Sequence, residues 1–499
     1  MSTPPPSAFD AGGAGLAGTL SRRAWGTLLV LCSALFLDAL DVSMMGVALP
    51  SIRSDLGMST SSLQWVVSGY VLGYGGFLLL GGRAADLLGR RRVFIVSLGV
   101  FLFASGLGGL TNDGNLLIAT RFLKGISAAF TTPAGLSIIT TSFPEGPARN
   151  KALSIYSATG AAGFSLGLVL GGILTEFSWR LVCFLPVPIA LVTLIAAIRL
   201  VPDSGRTIGP RGSFDFAGAV SITAGMLFLV YTLVEAPNAG WGSARTIGSL
   251  IGSVAILTLF VVIEQRQQNP LVRLGILRSG ALVRANLGAM SLIGAWFGAQ
   301  FILTMYMQEL RGWSALETGL AIFPAGLIVA LLAPRVVPLV TKYGVSRLIL
   351  AGLISTVATY ALLQALDSDS SYPFLLLPAF IFGGIGFGLA YGPLTMAATN
   401  GIAPEEQGLA GGLVNTSFQF GGALVLAIVT AVNNANIGTS GTPNDLLEGY
   451  QAALVVPLIV AILGVGATAV GLIRRTAPAT APIPFPEPVP ATAYDEAAD

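Results

Sequence analysis

Four charged side chains lie inside stretches of sequence that are otherwise apolar: Asp38, Asp41, Arg121 and Lys124. The two acids are three residues apart, as are the two bases, so each pair would lie on one face of a helix. A charge without a partner at the centre of a bilayer costs at least about 2.5 to 3.5 kcal/mol, so such residues usually have a functional role. From the depth of each residue in its segment we expect two stacked ion pairs, Asp41 with Arg121 and Asp38 with Lys124.

Ion pairs of this kind can bind and release a proton. A nearby cation lowers the pKa of a carboxyl group and desolvation raises it, so a pair that separates alternates between releasing and binding a proton. The chain contains no histidine, and a proton relay must therefore use Asp or Glu. We expect Asp41 to carry the proton, Arg121 to expel it and the second pair to tune the first. The alternative is a static brace between two helices.

The composition requires lipid around the segments that hold these residues. Of the 499 residues, 54% are hydrophobic and only 10% are charged, and the mean hydropathy is +0.79, which argues against a soluble enzyme. Apolar segments of about 20 residues, each long enough to cross a bilayer as a helix, recur fourteen times. They are predicted near 24–50, 60–82, 92–111, 114–138, 150–174, 180–200, 214–235, 245–264, 284–308, 316–340, 346–366, 373–397, 407–432 and 450–473.

The basic residues give these spans an orientation. When the N-terminus and the C-terminus are both placed in the cytoplasm, most of the 26 Lys and Arg residues lie on the cytoplasmic side, as the positive-inside rule requires. The first span is not a cleaved signal, because it is too long and carries two acids. The sequence therefore predicts a multi-pass protein of the plasma membrane.

The link after the second span is a tight turn with an acid at the end of one helix and bases at the start of the next. It contains Gly82, Asp86, Gly89, Arg90 and Arg91. This link resembles the signature loop of the major facilitator superfamily. The resemblance implies that Asp86, Arg90 and Arg91 form a cytoplasmic charge relay, which latches the helix ends in one conformation. The alternative is that the arginines only anchor and orient the hairpin.

A degraded second copy of the loop, at Gly344 and Arg347, indicates an internal repeat. The layout resembles the fourteen-spanner drug:proton antiporter branch of the superfamily, a multidrug and antibiotic efflux type. This resemblance implies an all-α membrane protein with two six-helix halves and an inserted helix pair. The implied parts are a cytoplasmic N-terminal segment at 1–23, a first half at 24–200, the inserted pair with its loops at 201–265, a second half at 266–475 and a disordered cytoplasmic tail at 476–499.

Three further motifs carry the resemblance to this branch. Residues 40–50 are similar to its first-helix motif, with Ser43 where Thr is usual. Residues 121–125 resemble the motif whose arginine is linked to proton coupling, with Lys124 where Gln is usual. The fifth span resembles the glycine-rich antiporter motif, with Leu168 in place of its usual proline. The glycines of that motif are Gly163, Gly167, Gly171 and Gly172.

Polar and aromatic side chains in three spans are candidates for the lining of a substrate cavity. For each of them an interhelical hydrogen bond is an equally favoured alternative. The second half has no acid deep in a span, which favours neutral or singly charged substrates over divalent cations. The candidates are Tyr70, Tyr74, Gln300, Tyr306, Gln308, Asn415 and Gln419.

Together these features predict a proton-coupled exporter, an antiporter, of small amphiphilic drug-like compounds or antibiotics. The alternatives are a proton-linked importer of a small metabolite and a flippase for lipids or lipid precursors, because one fold can serve all three. None of the three lysines follows a glycine, which argues against ATP hydrolysis by a phosphate-binding loop. We expect no enzymatic activity, cofactor, metal or nucleic-acid partner. The expected partners are membrane lipid, a small-molecule substrate and protons, and the chain is expected to act as a monomer.

Overall fold

The computed structural model describes residues 22–143, 147–202, 215–267, 274–402, 406–438 and 442–473. Apart from Arg22 and Arg23, the predicted N-terminal segment lies outside these residues, as does the predicted tail. The described residues form fourteen long helices and contain no β-strand. The first six helices are α1 (Arg22–Leu56), α2 (Thr60–Leu88), α3 (Arg90–Leu110), α4 (Gly114–Ser142), α5 (Pro147–Phe177) and α6 (Arg180–Leu200).

The chain then forms a helix pair and six further helices. The pair consists of α7 (Phe216–Ala239) and α8 (Ala244–Arg266). The remaining helices are α9 (Gly280–Leu310), α10 (Ala315–Tyr343), α11 (Val345–Ala365), α12 (Tyr372–Thr399), α13 (Gln407–Asn436) and α14 (Pro443–Ile473). Below, the first half means α1 to α6 and the second half means α9 to α14.

Thirteen of the described helices are long and apolar enough to cross a membrane, and α7 contains a shorter apolar stretch at Ala217–Leu229. The predicted all-α membrane fold is confirmed, and the predicted count of fourteen agrees with these helices. Several helices extend beyond the predicted spans at their polar ends. For example, α1 continues through Pro50 to Leu56. A helix does not have to end where the hydrocarbon ends, because side chains such as Arg53 can meet water there.

Two single-residue turns occupy corresponding places in the two halves. Gly89 alone joins α2 to α3 with φ 96°, and Gly344 alone joins α10 to α11 with φ 85°. Glycine is required at both turns because other L-residues rarely adopt such a positive φ. Since these are the links between the second and third helices of each half, the turns support the predicted internal repeat.

Close contacts between small residues hold the helices together, as expected when lipid replaces water outside the protein. Within the halves, α1 packs against α5, α2 against α4, α9 against α13 and α11 against α12. The halves meet where α2 packs against α13 and α5 packs against α10. The inserted helices α7 and α8 pack against each other, and α7 also contacts α2 and α13. The helix pair therefore lies beside the junction of the halves.

The two ends of the helix bundle differ in how the halves are joined. We call the end at which α1 finishes the Arg53 face, and the end at which α3 begins the Arg90 face. Where both partners are described residues, the side-chain hydrogen bonds between the halves all lie in the part of the protein nearest the Arg53 face. They join Arg53 to Glu309, Gln308 to the Val47 carbonyl, Glu176 to the Leu316 amide and Asn434 to Ser61.

Candidate functional site

The centre of the first half contains a buried cluster of one carboxylate and two cations. Asp41 on α1 is fully buried, and Arg121 and Lys124 on α4 are nearly so. The Arg121 guanidinium donates Nη1–H to Asp41 Oδ2, and Lys124 Nζ donates to Asp41 Oδ1 at 2.5 Å. Both carboxylate oxygens are therefore engaged, each by a different cation. Such charge-assisted bonds are stronger than those between neutral groups.

The surrounding helices hold each cation in place. Arg121 Nε donates to the Val66 carbonyl at 3.1 Å, and its guanidinium lies 4.8 Å from the centre of the Tyr70 ring. Lys124 Nζ lies 5.3 Å from the centre of the Phe101 ring on α3. A cation over an aromatic face is stabilised by the ring quadrupole. Arg121 is therefore held between α1 and α2, and Lys124 between α1 and α3.

Of the two predicted ion pairs, Asp41 with Arg121 forms, but the prediction that Asp38 pairs with Lys124 is wrong. The predicted first span ends near residue 50, whereas α1 continues to Leu56, and both cations of α4 reach Asp41. Asp38 is 8% exposed, and its buried Oδ2 has no hydrogen-bond partner among the described residues. One acid of the site is thus doubly paired, and the other has a free oxygen atom.

Glycines let α2 approach α4 closely beside this cluster. A Cβ atom on Gly125 would collide with the Tyr70 carbonyl, and one on Gly73 would collide with the Phe122 carbonyl. The backbones can therefore pack at a distance that a larger residue would prevent. This close packing brings Arg121 within hydrogen-bond distance of the α2 backbone.

The glycine-rich pattern of α5 positions α1 in a similar way. A Cβ atom on Gly163 would meet Phe36, one on Gly167 would meet Leu40 and Ser43, and one on Gly171 would meet Met44. These contacts cover the turns of α1 that carry Asp38 and Asp41. The fourth glycine of the pattern, Gly172, faces Ala315 and Leu316 of α10 instead. The pattern thus joins the acid-bearing helix to α5 and α5 to the second half.

The loop predicted to act as a latch lies at the Arg90 face. Gly82 is in the last turns of α2, Gly89 is the single-residue turn, and Arg91 on α3 donates Nη2–H to the Ile198 carbonyl of α6 at 2.5 Å. Arg90 is the first residue of α3. The side chain of Asp86 lies outside the described residues, and the predicted charge relay remains a prediction.

A small cavity of about 20 Å³ lies between the halves, next to the ion cluster. This volume has room for about one water molecule. Three predicted site residues line it, namely Tyr70, Gln300 and Arg121, and the Gln300 amide approaches Gly46 of α1. The full lining is Val42, Met45, Gly46, Leu49, Val67, Tyr70, Val71, Arg121, Phe297, Gln300 and Phe301.

The other predicted cavity residues do not line this space. Tyr74 hydrogen-bonds to Thr132 on α4, at 3.0 Å, and lies beside Tyr70. Asn415 donates to a carbonyl of its own helix, and Gln419 packs against Gly75 where α2 meets α13.

Two residues of α9 are occupied in hydrogen bonds near the Arg53 face. Tyr306 is fully buried and donates to the Asp367 carbonyl at 2.6 Å. Gln308 donates to the Val47 carbonyl of α1 at 2.9 Å. For both residues the structure shows a hydrogen bond to another segment, which was the alternative to a place in the cavity lining. Sequence reasoning missed Phe297 and Phe301, because nothing in an apolar helix marks which of its phenylalanines faces a cavity.

The fold and the site can be compared with known proteins. The sequence pattern of the Major Facilitator Superfamily matches residues 31–426. The chain belongs to this superfamily. It is 39% identical to the cephamycin export protein CmcT of Amycolatopsis lactamdurans, over 89% of this chain and 92% of that protein. It is 37% identical to the puromycin resistance protein pur8 of Streptomyces alboniger, over 90% of this chain and 91% of that protein.

Other relatives and solved structures agree with this membership. The tetracenomycin C resistance and export protein of Streptomyces glaucescens is 30% identical, over 85% of this chain and 78% of that protein. The predicted resemblance to the antibiotic-efflux branch is therefore confirmed. Among solved structures, peptide transporter POT in complex with sulfate superimposes with a TM-score of 0.65 at 16% identity, over 90% of this chain and 95% of that one. At that identity the match supports the fold alone.

Proposed function

We propose that this chain is a secondary active exporter of small amphiphilic drug-like compounds, and that protons moving into the cytoplasm drive it. The observation that carries the proposal is the buried cluster of Asp41, Arg121 and Lys124, with a second acid, Asp38, one turn away on the same helix. Its relatives are named as antibiotic export and resistance proteins. In an otherwise apolar bundle, such charges are retained for function rather than for stability.

The geometry favours Asp38, rather than the predicted Asp41, as the group that exchanges the proton. Protonating Asp41 would leave two buried cations without their counter-ion, which is costly. Protonating Asp38 removes a buried negative charge from a carboxyl group whose Oδ2 has no hydrogen-bond partner among the described residues. Asp41 then acts as the fixed counter-ion of the cluster.

Lys124 can couple this proton exchange to helix movement. Its ammonium group is bonded to Asp41, and Asp41 is three residues from Asp38 on α1. When Asp38 releases its proton to water on the cytoplasmic side, the new negative charge attracts Lys124. Movement of Lys124 away from Asp41 weakens the contact between α1 and α4.

The polar contacts that join the halves at the Arg53 face support access to the site from the opposite side, the Arg90 face. Arg53 and Glu309 join the halves there at 2.7 Å, and Tyr450 also contacts Glu309. We assign the Arg90 face to the cytoplasm because Arg90, Arg91 and most other basic residues lie on that side. Both termini would then be cytoplasmic in a plasma-membrane protein. We also propose a monomer as the working unit.

Transport in inside-out vesicles tests this function. The interior of the vesicles is acidified, and puromycin, lincomycin and tetracenomycin C, compounds taken from the names of relatives, are added outside. The expected result is collapse of the pH gradient by at least one compound, and loss of that response in Asp38→Asn. The exposed acid Asp369 provides a matched control, and Asp369→Asn should behave like the unmodified chain. Uptake of the compound that is unaffected by the pH gradient would contradict proton coupling.

A further inference from the structure

A second cavity lies inside the second half, at the Arg90 face, where α9, α11, α12 and α14 meet. Its volume of about 60 Å³ has room for several water molecules, or for one group of the size of a phosphate. Its lining includes Arg284 on α9, Ser346 on α11, Asn400 directly after α12, and Thr468 on α14. Asn400 is exposed and Arg284 is partly exposed, so the cavity opens to the surface. We call this space the Arg284 cavity.

The Arg284 cavity lies where the first half has a long side chain. Ser346 follows the turn at Gly344 by two residues, as Arg91 follows the turn at Gly89. Arg91 crosses to α6, the sixth helix of its half, and donates to the Ile198 carbonyl at 2.5 Å. Ser346 is too short to cross to α14, the sixth helix of the second half, and the space between them is part of the cavity. The second half therefore has an open polar space at a place that a side chain bridges in the first half.

The charge in this cavity is positive and is not balanced. The Arg284 side chain forms no hydrogen bond or ion pair with another described residue, and no described residue of the lining is acidic. Its Nη1 lies beside Gly280, the first residue of α9. The first residues of α11, Val345 and Ser346, also line the cavity, and no side chain caps the start of that helix. A guanidinium and a helix start both attract anions, so an anion is the ligand that this lining fits.

We infer that the Arg284 cavity binds a phosphate group, which anionic phospholipids of the adjacent leaflet carry and which inorganic phosphate also presents. The guanidinium offers parallel N–H donors that match two phosphate oxygens, and Ser346 and Asn400 add a hydroxyl and an amide. Basic pockets between membrane helices on the cytoplasmic side bind such lipid headgroups. Val283 and Leu287, beside Arg284 on α9, are exposed, so the acyl chains of a bound lipid can lie along this helix.

This site goes beyond the proposed export function because it is separate from the ion cluster. Arg284 precedes Gln300, in the lining of the central cavity, by 16 residues on α9, which is about 24 Å along the helix axis. A phosphate group in the Arg284 cavity would contact α9, α11 and α14, all in the second half. Its binding can therefore be measured without any transport.

Binding of radiolabelled phosphatidylglycerol to the purified full-length chain tests the site. The chain is immobilised on scintillation beads in phosphate-free buffer with a neutral detergent, and diacylglycerol with the same acyl chains serves as a competitor that lacks phosphate. Arg284→Gln should weaken the saturable binding about tenfold, the effect of losing one charge-assisted hydrogen bond. Arg278→Gln removes the same charge from an exposed position six residues earlier and should change binding less than about twofold. Diacylglycerol should not displace the label.

Ser346→Arg distinguishes a defined site from general attraction to positive charge. The longer side chain can cross to α14 as Arg91 crosses to α6, so it should fill the cavity and weaken phosphatidylglycerol binding about tenfold or more. General attraction to positive charge would instead make this variant bind more tightly. Thermal unfolding checks that each variant is folded, and the comparison of Arg284→Gln with Arg278→Gln decides the question if Ser346→Arg is not.

Radiolabelled inorganic phosphate, titrated in the same assay, identifies the source of the phosphate group. Binding of phosphatidylglycerol that depends on Arg284 and resists millimolar inorganic phosphate supports a lipid site, and binding of inorganic phosphate alone that depends on Arg284 supports a site for the free anion. Three results would overturn the inference: equal effects of Arg284→Gln and Arg278→Gln, displacement of the label by diacylglycerol, or no saturable binding of either probe to the folded unmodified chain. Because no step requires a gradient or a transported compound, failure of the export proposal would leave this result unchanged.

Discussion

Replacing Asp41 by Asn should destabilise the protein far more than the same replacement at Asp38. Both changes convert a carboxylate into an amide of equal size, on the same helix and one turn apart. Asp41 bonds to Arg121 and Lys124, and all three side chains are buried. Asp38 has a buried oxygen atom without a hydrogen-bond partner among the described residues. The comparison therefore isolates the effect of the two ion pairs from that of burial.

The magnitude follows from the contacts. Removing one partner of a buried ion pair typically costs about 3 to 5 kcal/mol, because the remaining charge stays buried without compensation. We expect Asp41→Asn to cost about 3 kcal/mol, at the lower end of that range, because Lys124 can turn toward Asp38. Asp38→Asn removes a buried charge and should leave the free energy of unfolding unchanged or slightly higher. In combination with Asp41→Asn, Lys124→Met should cost less than the sum of the two separate changes.

Thermal and denaturant unfolding of the purified variants in one detergent, at one pH, measure these differences. Asp369→Asn, at an exposed turn, again provides the control for a lost carboxylate. The expected order of stability is Asp38→Asn equal to or above the unmodified chain, and Asp41→Asn well below it. The reasoning would be refuted if Asp41→Asn unfolded like the unmodified chain, or if Asp38→Asn were the less stable of the two.

Two further predictions concern packing and the closed face. Gly125→Ala should destabilise the protein by about 1 to 3 kcal/mol, because the added Cβ would collide with the Tyr70 carbonyl. Gly106 has open space around it, so Gly106→Ala should be neutral or stabilising in the same unfolding assay. In a variant with cysteines in place of Arg53 and Glu309, a cleavable bifunctional thiol reagent should join the halves and stop transport until the reagent is cleaved. Each single cysteine variant should keep transporting after the same treatment. Full transport while the cross-link is intact would show that the halves do not need to separate at this face during export.

Much of the fold could be predicted from sequence, because the hydrophobic pattern of a membrane helix is set by the thickness of the bilayer. The spans and the glycine turn at Gly89 follow from local sequence. The pairing of Asp41 with Arg121 was also accessible, because few charges lie in the apolar segments and each needs a partner. The prediction that Asp38 pairs with Lys124 failed because it depended on where α1 ends, and helix ends are the least certain part of a sequence-based prediction.

Contacts between aromatic rings of different helices could not be predicted in the same way. Phe387 and Tyr391, four residues apart, are neighbours that a helical repeat brings together. The contacts of Tyr391 with Phe418 and of Phe164 with Trp296 depend on how separate helices cross. Similarly, Tyr306 and Gln308 have the residue types of a cavity lining, but their depth near the Arg53 face brings them to backbone carbonyls instead. Residue type indicates which interactions a side chain can make, and tertiary packing determines which partners it meets.

Release of protons from the purified, reconstituted chain on substrate addition tests the central claim most directly. The substrate is the compound that collapses the gradient in vesicles, and a pH-indicator dye in weakly buffered solution reports the protons. The account predicts that the unmodified chain and Asp369→Asn release protons when the compound is added, and that Asp38→Asn binds the compound without releasing any. Proton release by Asp38→Asn equal to that of the unmodified chain would contradict the assignment of Asp38 as the proton-exchanging group.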